Sequence, residues 1–286
     1  MLDKKITFIG SGAMAEAMVS GLLREKLASP EDLRTSDTHA QRVDELHNKY
    51  GVQPFTDNLL AIQQADVVVL SVKPQRLAEL LTSLNDAIPP EAVVLSIVAG
   101  ATIDKISKGL KHGAVVRSMP NTPAQIGEGI TVWIASKTVS AIQKETARAI
   151  LGAFGAEIKV DDENYLDMAT ALSGTGPAYV FIFMEAMIDA GVHMGFSRKV
   201  SEQLVVKTLR GSVDYYEALN EKSSVHVAAL KNQVTSPGGT TAEALYYLEK
   251  AGFRTAISRA IWAAYQRSLE LGKEKPVHIP EEGGGS

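Results

Sequence analysis

The sequence predicts an α/β fold, with an N-terminal Rossmann-like doubly wound domain followed by an all-α domain. Short β-branched runs alternate with helical patterns up to about residue 160, whereas only helical patterns follow Asp161. Of the 17 aromatic residues, 5 lie before residue 161 and 12 lie after it. Strand–helix alternation is typical of a parallel sheet with helices on both faces. We therefore expect domains at 1–160 and 161–276, and a flexible tail at 277–286.

Seven short runs predict the strands of the first domain. Some are apolar at every position, such as Val67–Leu70, as expected for strands covered on both faces. The predicted strands are Lys5–Ile9, Leu33–Ser36, Asp66–Val72, Ala92–Val98, Ala114–Ser118, Ile130–Ala135 and Glu157–Val160. The predicted helices between them are Ala13–Leu27, Thr38–Tyr50, Ile103–Leu110 and Val139–Phe154.

The second domain is predicted to contain long helices only. They are Glu163–Gly191 with a break at Ser173–Pro177, Arg198–Leu219, Val225–Leu230, Thr241–Ala251 and Phe253–Gly272. Gly, Ala and Ser recur at the helix contact positions beside apolar stripes. This composition and the high aromatic content are typical of an interface between subunits.

The composition excludes several classes of function. The chain has no cysteine, so it has no disulfide, thiolate metal site or cysteine nucleophile. Its histidines are not paired at metal-ligand spacing, so no metal site is expected. A net charge of −4 gives no field that attracts nucleic acid. No apolar run reaches the roughly 18–20 residues of a bilayer span. We expect a cytoplasmic protein with no membrane partner.

A dinucleotide-binding motif follows the first predicted strand. The turn Gly10–Ala15 reads G-x-G-x-x-A and opens a predicted helix. Gly10 allows the tight turn, and Gly12 leaves room for a diphosphate to approach the backbone. The helix N-terminus adds unpaired N–H groups. The predicted cofactor-binding residues of this turn are Gly10, Ser11, Gly12, Ala13 and Met14.

Asp37 follows the second predicted strand and has two interpretations. It could accept the ribose hydroxyls of NADH, or it could cap the helix beginning at Thr38. The neighbouring Ser36, Thr38 and Arg42 could bind a 2′-phosphate instead. We include Ser36 and Asp37 among the cofactor-binding residues, and the choice between NADPH and NADH stays open.

Three polar or Gly/Pro-containing loops follow three successive strands. Ligands of open parallel sheets bind beyond the carboxyl ends of the strands. The loops Ser71–Pro74, Val98–Gly100 and Ser118–Pro123 should therefore line one crevice. The predicted cofactor-binding residues in them are Val72, Lys73, Pro74, Ala99, Gly100 and Asn121.

A glycine-rich loop in the helical domain could bind a carboxylate. In Val234–Thr241, glycines free backbone N–H groups and hydroxyls add donors. The alternative is a Pro-Gly turn that begins a helix. The small-residue break at Ser173–Pro177 is interpreted first as a point of close helix packing.

Together these motifs resemble the pyrroline-5-carboxylate reductase family. The resemblance runs from about residue 4 to Gly272 and covers several blocks in the right order. The blocks are Gly10–Ala17, Val72–Gln75, Met119–Pro123, Ser173–Tyr179, Val234–Thr241, Glu243–Leu245 and Gly252–Arg254. The block at Val234–Thr241 is the most specific, because the cofactor motif alone fits many families.

The resemblance implies a reaction and an assembly. The family reduces the ring imine of L-1-pyrroline-5-carboxylate to L-proline with NADPH or NADH. It combines a Rossmann domain with a helical dimerisation and substrate-binding domain, and its active site is shared between two subunits. We therefore expect a small-molecule substrate and a homodimer or larger homo-oligomer.

The resemblance also assigns site residues. Ser236, Gly238, Gly239 and Thr240 would bind the substrate carboxylate, and Thr241 would hydrogen-bond the ring nitrogen. Asn58 would contact the cofactor ribose, while Lys73 and Pro74 would border the nicotinamide pocket. Thr241 and Lys73 are the expected catalytic residues.

Two alternatives stay open. One is a related imine or β-hydroxyacid dehydrogenase, which would use a helical-domain lysine such as Lys207 or Lys231. The other is a non-catalytic cofactor-binding regulator, which would not need the carboxylate loop at Ser236–Thr241. Because that loop contains no Asp, Glu or His, we expect Thr241 and water to orient or deliver the proton.

Overall fold

A computed structural model describes residues 1–273 of the chain. The predicted tail at 277–286 and residues 274–276 lie outside the described residues. The chain divides into two compact units. The first unit contains Met1–Thr175 and the chain from Ala263 onward, and the second unit is Gly176–Trp262.

The first unit is built on an eight-stranded sheet in the order β3-β2-β1-β4-β5-β6-β7-β8. All neighbouring strands are parallel except the pair β6 and β7. The strands are β1 (Ile6–Ile9), β2 (Leu33–Ser36), β3 (Gln53–Phe55), β4 (Val67–Leu70), β5 (Val93–Ser96), β6 (Val115–Met119), β7 (Gly129–Ala135) and β8 (Gly155–Lys159). The predicted doubly wound α/β fold is therefore confirmed.

The sheet has one strand more than the seven predicted. Strand β3 is only three residues long and contains Pro54, which lacks a backbone N–H. It pairs with β2 and lies at the edge of the sheet, the position that tolerates proline. A proline within so short a run hides the strand from pattern analysis.

Helices cover both faces of the sheet and build two apolar cores. Phe8, Leu22 and Phe154 belong to one core, and Ile9 and Leu70 belong to the other. The helices of this region are α1 (Ala13–Arg24), α2 (Ala40–Tyr50), α3 (Asn58–Ala61), α4 (Leu77–Ser83), α5 (Ile103–Leu110), α6 (Ala141–Gly152) and α7 (Asn164–Ala169). Helices α3 and α4 were not among the predicted helices.

The remaining helices follow the predicted order. They are α8 (Gly176–His193), α9 (Arg198–Asn220), α10 (Val227–Gln233), α11 (Thr240–Lys250) and α12 (Phe253–Lys273). Helices α8 and α9 pack closely at Gly191, where an added Cβ would come within 3.0 Å of Ser201 Cβ. The second unit leaves several large apolar side chains exposed: Phe181, Ile182, Met194, Tyr215, Tyr246, Tyr247 and Trp262.

The predicted break at Ser173–Pro177 does not interrupt the helical path. A π-helical turn spans Thr170–Gly174, and α8 begins at Gly176 with Pro177 in its first turn. Proline is tolerated there because the first-turn N–H groups have no helical partner. The helical run Asn164–His193 is thus 30 residues long.

This run corrects the expectation that no apolar segment is long enough to span a bilayer. Its best window has a mean hydropathy of 1.3, and only 11% of that window is buried. Small residues separate the short apolar runs in the sequence without making the helix polar. Length and composition alone are weak evidence for a membrane span, since helices of soluble proteins can meet the same criteria.

A buried ion network explains why α7 belongs with the sheet. Arg117 on β6 is only 3% exposed and donates to Glu163 (2.9 Å) and Asp167 (3.1 Å). Ser268 of α12 donates to the same Asp167 oxygen at 2.7 Å. The last strand ends at Lys159, near the predicted boundary at 160, but these contacts extend the first unit to Thr175. As a functional boundary, residue 160 stays a prediction.

Candidate functional site

The strands around β1 end at one edge of the sheet. Ile9 of β1 lies opposite Ser36 of β2 and Leu70 of β4. The residues that follow these strands therefore begin at the same level. This is the switch point at which doubly wound sheets bind ligands.

Gly10 is fixed by the neighbouring loop. Its φ of +93° is unfavourable for other residues, and an added Cβ would lie 2.8 Å from the Ser71 carbonyl oxygen. The Ser71 hydroxyl donates to the Gly10 carbonyl at 2.6 Å. Sequence analysis included the Ser71 loop but did not identify this bond.

Gly12 has the opposite environment. It precedes α1 in an extended conformation, and an added Cβ would meet no atom within 4 Å. Gly12 and Ala13 are exposed beside the first N–H groups of α1, which have no helical acceptor. An open glycine at a helix N-terminus fits a diphosphate, so the turn is suited to a dinucleotide.

Asp37 is bonded to the glycine turn. One carboxylate oxygen accepts the Ser11 N–H at 2.9 Å, and the other accepts the His39 N–H at 3.0 Å. Burial alone would raise the pKa of Asp37, but the hydrogen bonds from Ser11 and His39 lower it below its ordinary value. The helix after Asp37 begins at Ala40 rather than at Thr38, with His39 as its N-cap. Capping of a helix that begins at Thr38 is therefore wrong.

Ser36 and Asn58 meet next to this turn. The buried Ser36 hydroxyl donates to Asn58 Oδ1 at 2.7 Å. Asn58 is the first residue of α3, whose N-terminus is capped by Asp57. The structure thus brings together two of the residues predicted to bind the cofactor.

The remaining predicted residues occupy the next three strand ends. Val72 approaches Gly10, and Lys73 is exposed just before a short 3-10 turn that begins at Pro74. Ala99 and Gly100 follow β5. Gly100 has a φ of +71°, and an added Cβ would lie 3.0 Å from the Gly272 nitrogen of α12.

Asn121 has a structural role in addition to its predicted one. Its side-chain oxygen accepts the Ile130 N–H at 3.0 Å, and its amide nitrogen donates to the Ser173 carbonyl at 3.3 Å. It therefore connects the start of β7 to the π-helical turn. One N–H and one acceptor position of the amide remain for a ligand.

In the second unit, the predicted carboxylate loop precedes α11. Gly239 is the N-cap, and Thr240 and Thr241 are the first two helical residues. Gly238 has a φ of +68°, and an added Cβ on Gly239 would collide with the Ser236 hydroxyl. The positive φ therefore favours glycine at position 238, and the turn leaves the first N–H groups of α11 available to an anion.

Sequence analysis missed a charged cluster beneath the glycine turn. Glu16 on α1 accepts from Arg42, from Lys49 (2.8 Å) and from Tyr50 (3.0 Å). Burial would raise the pKa of Glu16, but these donors lower it to about 2. Arg42 also donates to the Ser11 carbonyl at 2.7 Å. The sequence indicates Arg42 only as a possible ligand of a 2′-phosphate, since nothing in the spacing pairs it with Glu16.

Comparisons with known proteins cover almost the whole chain. Residues 163–271 match the family profile "Pyrroline-5-carboxylate reductase dimerisation", and residues 5–100 match "NADP oxidoreductase coenzyme F420-dependent". A pyrroline-5-carboxylate reductase from Synechocystis sp. is 41% identical over 94% of this chain and 99% of its own length. One from Pseudomonas aeruginosa is 38% identical over 96% of this chain and 99% of its own length.

A solved structure agrees with these sequence relatives. The NADP-bound pyrroline carboxylate reductase of Plasmodium falciparum has a TM-score of 0.86 and 32% sequence identity. The similarity covers 95% of this chain and 99% of that one. This chain belongs to the pyrroline-5-carboxylate reductase family.

Proposed function

We propose that this protein is an NAD(P)H-dependent pyrroline-5-carboxylate reductase. It reduces the imine of L-1-pyrroline-5-carboxylate to L-proline, the last step of proline biosynthesis. The observation that carries the proposal is the nearly full-length similarity to curated reductases. The matched profiles include both the glycine turn at Gly10–Gly12 and the loop at Ser236–Thr241.

The first unit supplies the cofactor site of this proposal. Gly12 and the N-terminus of α1 would bind the diphosphate, and Asp37 and Asn58 would face the ribose. Lys73 and Pro74 would border the nicotinamide pocket, with Lys73 exposed at the end of β4. A bound reduced nicotinamide supplies the hydride for the reaction.

The loop before α11 supplies the substrate site. The N–H groups around Gly238, Gly239 and Thr240 would bind the substrate carboxylate, favoured by the partial positive charge of the helix N-terminus. Thr241 lies one residue further into the helix and would hydrogen-bond the ring nitrogen. A protonated imine accepts hydride more readily than a neutral one, so Thr241 and water would orient or deliver this proton.

The proposed activity is tested with the purified protein in both directions. Pyrroline-5-carboxylate should cause oxidation of NADPH or NADH, and proline should cause reduction of NADP⁺ or NAD⁺ at high pH. Absence of turnover in both directions would overturn the proposal. Oxidation of a β-hydroxyacid instead would favour the dehydrogenase alternative with Lys207 or Lys231.

Thr241→Val tests the role of the hydroxyl. The variant retains the size of the side chain and removes only the hydrogen bond. We expect the turnover rate to fall by at most about 10²–10⁴-fold, the usual range for general acid catalysis. The cofactor dissociation constant should not change. Full activity of the variant would show that Thr241 has no catalytic role.

We also propose that the chain forms a homodimer through its helical part, from which larger homo-oligomers could be built. The matched dimerisation profile spans 163–271, and large apolar side chains are exposed within it, including Phe181, Ile182 and Trp262. Light scattering coupled to gel filtration should give at least twice the chain mass. A monomer at micromolar concentration would contradict this proposal.

We also propose that the protein is cytoplasmic. The apolar surface of the Asn164–His193 run suits a subunit interface, which would cover it without a membrane. After cell lysis, the protein should remain in the supernatant at high centrifugal force. Recovery in the membrane fraction, released only by detergent, would overturn this part.

A further inference from the structure

Arg42 lies directly beneath the cofactor turn. It is the third residue of α2, and its Nε donates to the Ser11 carbonyl at 2.7 Å. The N–H of the same Ser11 donates to Asp37. The Asp37 carboxylate thus binds the N–H of Ser11, and the Arg42 guanidinium binds the carbonyl of Ser11.

The guanidinium of Arg42 is already paired with two carboxylates. One of its terminal nitrogens donates to Glu16, and the other donates to Glu45 at 3.0 Å. The side chains of Arg42 and Glu16 are 29% and 23% exposed, whereas that of Glu45 is 50% exposed. The pair with Glu16 is therefore less screened by solvent than the pair with Glu45.

These charges lie where dinucleotide-binding folds distinguish the two cofactors. At the end of the second strand, an acidic residue favours the 2′-hydroxyl of NADH, and a nearby arginine favours the 2′-phosphate of NADPH. In this chain the arginine is present, but its three donor nitrogens are already used: one terminal nitrogen donates to Glu16, the other to Glu45, and Nε to the Ser11 carbonyl. A 2′-phosphate would have to compete with that carboxylate and approach its negative charge.

We propose that Glu16 is a specificity-determining residue, which disfavours a 2′-phosphate by holding Arg42 against the glycine turn. Glu16 itself lies on the first turn of α1, beside the end of α2 that carries Lys49 and Tyr50. Its lowered pKa keeps it ionised at every pH at which the enzyme would work. The inference deepens the proposed function, because it concerns the cofactor of the same site.

The test is a binding measurement that requires no turnover. Adenosine 2′,5′-bisphosphate and AMP, which differ only in the 2′-phosphate, are titrated calorimetrically into the wild-type protein and into Glu16→Gln. We expect the preference for the bisphosphate over AMP to rise about fivefold in Glu16→Gln, as for one partly screened charge pair. Glu45→Gln should shift the preference in the same direction by less.

Two further variants isolate the cause. Glu25→Gln removes one negative charge at the opposite end of α1 and should leave the preference unchanged. In the double variant Glu16→Gln/Arg42→Met the gain should disappear, because the freed guanidinium is absent. The ratio of kcat/KM for NADPH and NADH should follow the binding data.

Several results would overturn the inference. They are an unchanged preference in Glu16→Gln, a larger shift in Glu45→Gln than in Glu16→Gln, equal weakening of both ligands, and a gain that persists without Arg42. Because the probes bind without substrate, a protein that binds them as expected but does not reduce pyrroline-5-carboxylate would overturn only the proposed function.

Discussion

Gly10 and Gly12 lie in the same turn, but their surroundings differ. Gly10 is required by the protein itself, through its positive φ and the nearby Ser71 carbonyl. Gly12 has an ordinary φ of −70° and open space where a Cβ would lie. The fold itself therefore does not require glycine at this position, and we expect the requirement to come from the bound cofactor.

This difference predicts separate effects of two alanine substitutions. Gly12→Ala should fold with a free energy of unfolding within about 1 kcal/mol of the wild type, but cofactor binding should weaken at least tenfold. Gly10→Ala should lower the melting temperature because of backbone strain and the clash with Ser71. Thermal unfolding and cofactor titration of both variants provide the check. Unimpaired cofactor binding by Gly12→Ala would contradict the assigned site.

At the scale of elements, side chains of α1 and α2 are joined through Glu16. Its pKa is lowered to about 2 from an ordinary value of 4.5. A lowered pKa in the folded state stabilises the protein above the unfolded-state pKa, and this contribution is lost as the pH falls. The stabilisation by ionised Glu16 is therefore lost as the pH falls from about 5 to about 2.

Glu16→Gln should consequently be less stable than the wild type at pH 7, by at most about 3 kcal/mol. The difference should shrink toward zero as the pH approaches 2. Urea unfolding at several pH values measures it, and Glu25→Gln provides a control in which an exposed ion pair is removed. A difference that stays constant between pH 7 and pH 3 would show that Glu16 acts through packing rather than charge.

The buried network of Arg117 connects β6 to α7 and α12. Arg117→Met should cost about 3–5 kcal/mol, because it leaves Glu163 and Asp167 without their cation. Ser268→Ala removes one hydrogen bond to Asp167 and should cost about 1 kcal/mol. Denaturant unfolding at neutral pH compares the two. Equal losses would mean that the cation is not the main contributor.

Elements with a repeating local pattern could be predicted from the sequence, and distant pairings could not. Apolar strands such as Val67–Leu70 and the glycine turn that follows β1 carry their signal within a few residues. Strand β3 and helix α3 are too short for a periodic pattern. Helix α4 does carry apolar residues at helical spacing, with Leu77, Leu80 and Leu81 buried, so its sequence contains enough signal to predict it.

The candidate site divides in the same way. The glycines of the site can be predicted from the sequence because a turn requires them at fixed positions. Bonds such as Ser36 to Asn58, Arg117 to Asp167 and Ser268 to Asp167 join residues 22, 50 and 101 positions apart. Only the folded chain brings these partners together, so no local pattern could have identified them.

At the scale of the whole molecule, the predicted cofactor residues lie in one compact unit and the carboxylate loop lies in the other. The family resemblance predicts an active site shared between two subunits. Mixing two variants of strongly reduced activity, Gly12→Val and Thr241→Val, tests this prediction. If the site is shared, each mixed dimer contains one intact site.

Random mixing in equal amounts should then restore about one quarter of the wild-type activity, because about half of the dimers are mixed. The variants are unfolded and refolded together, and each variant refolded alone serves as the control. No recovery of activity in the mixture would mean that both parts of the site come from one chain.

The contact between Gly100 and Gly272 has a practical consequence for protein engineering. Two backbones approach so closely there that a Cβ added to Gly100 would lie 3.0 Å from the Gly272 nitrogen, and one added to Gly272 would lie 3.1 Å from the Gly100 carbonyl oxygen. Leu271 and Gly272 form part of the surface on which the loop after β5 rests, although they lie near the far end of the sequence. Shortened forms of the chain should therefore retain α12 through Lys273, and carboxy-terminal fusions should begin beyond it.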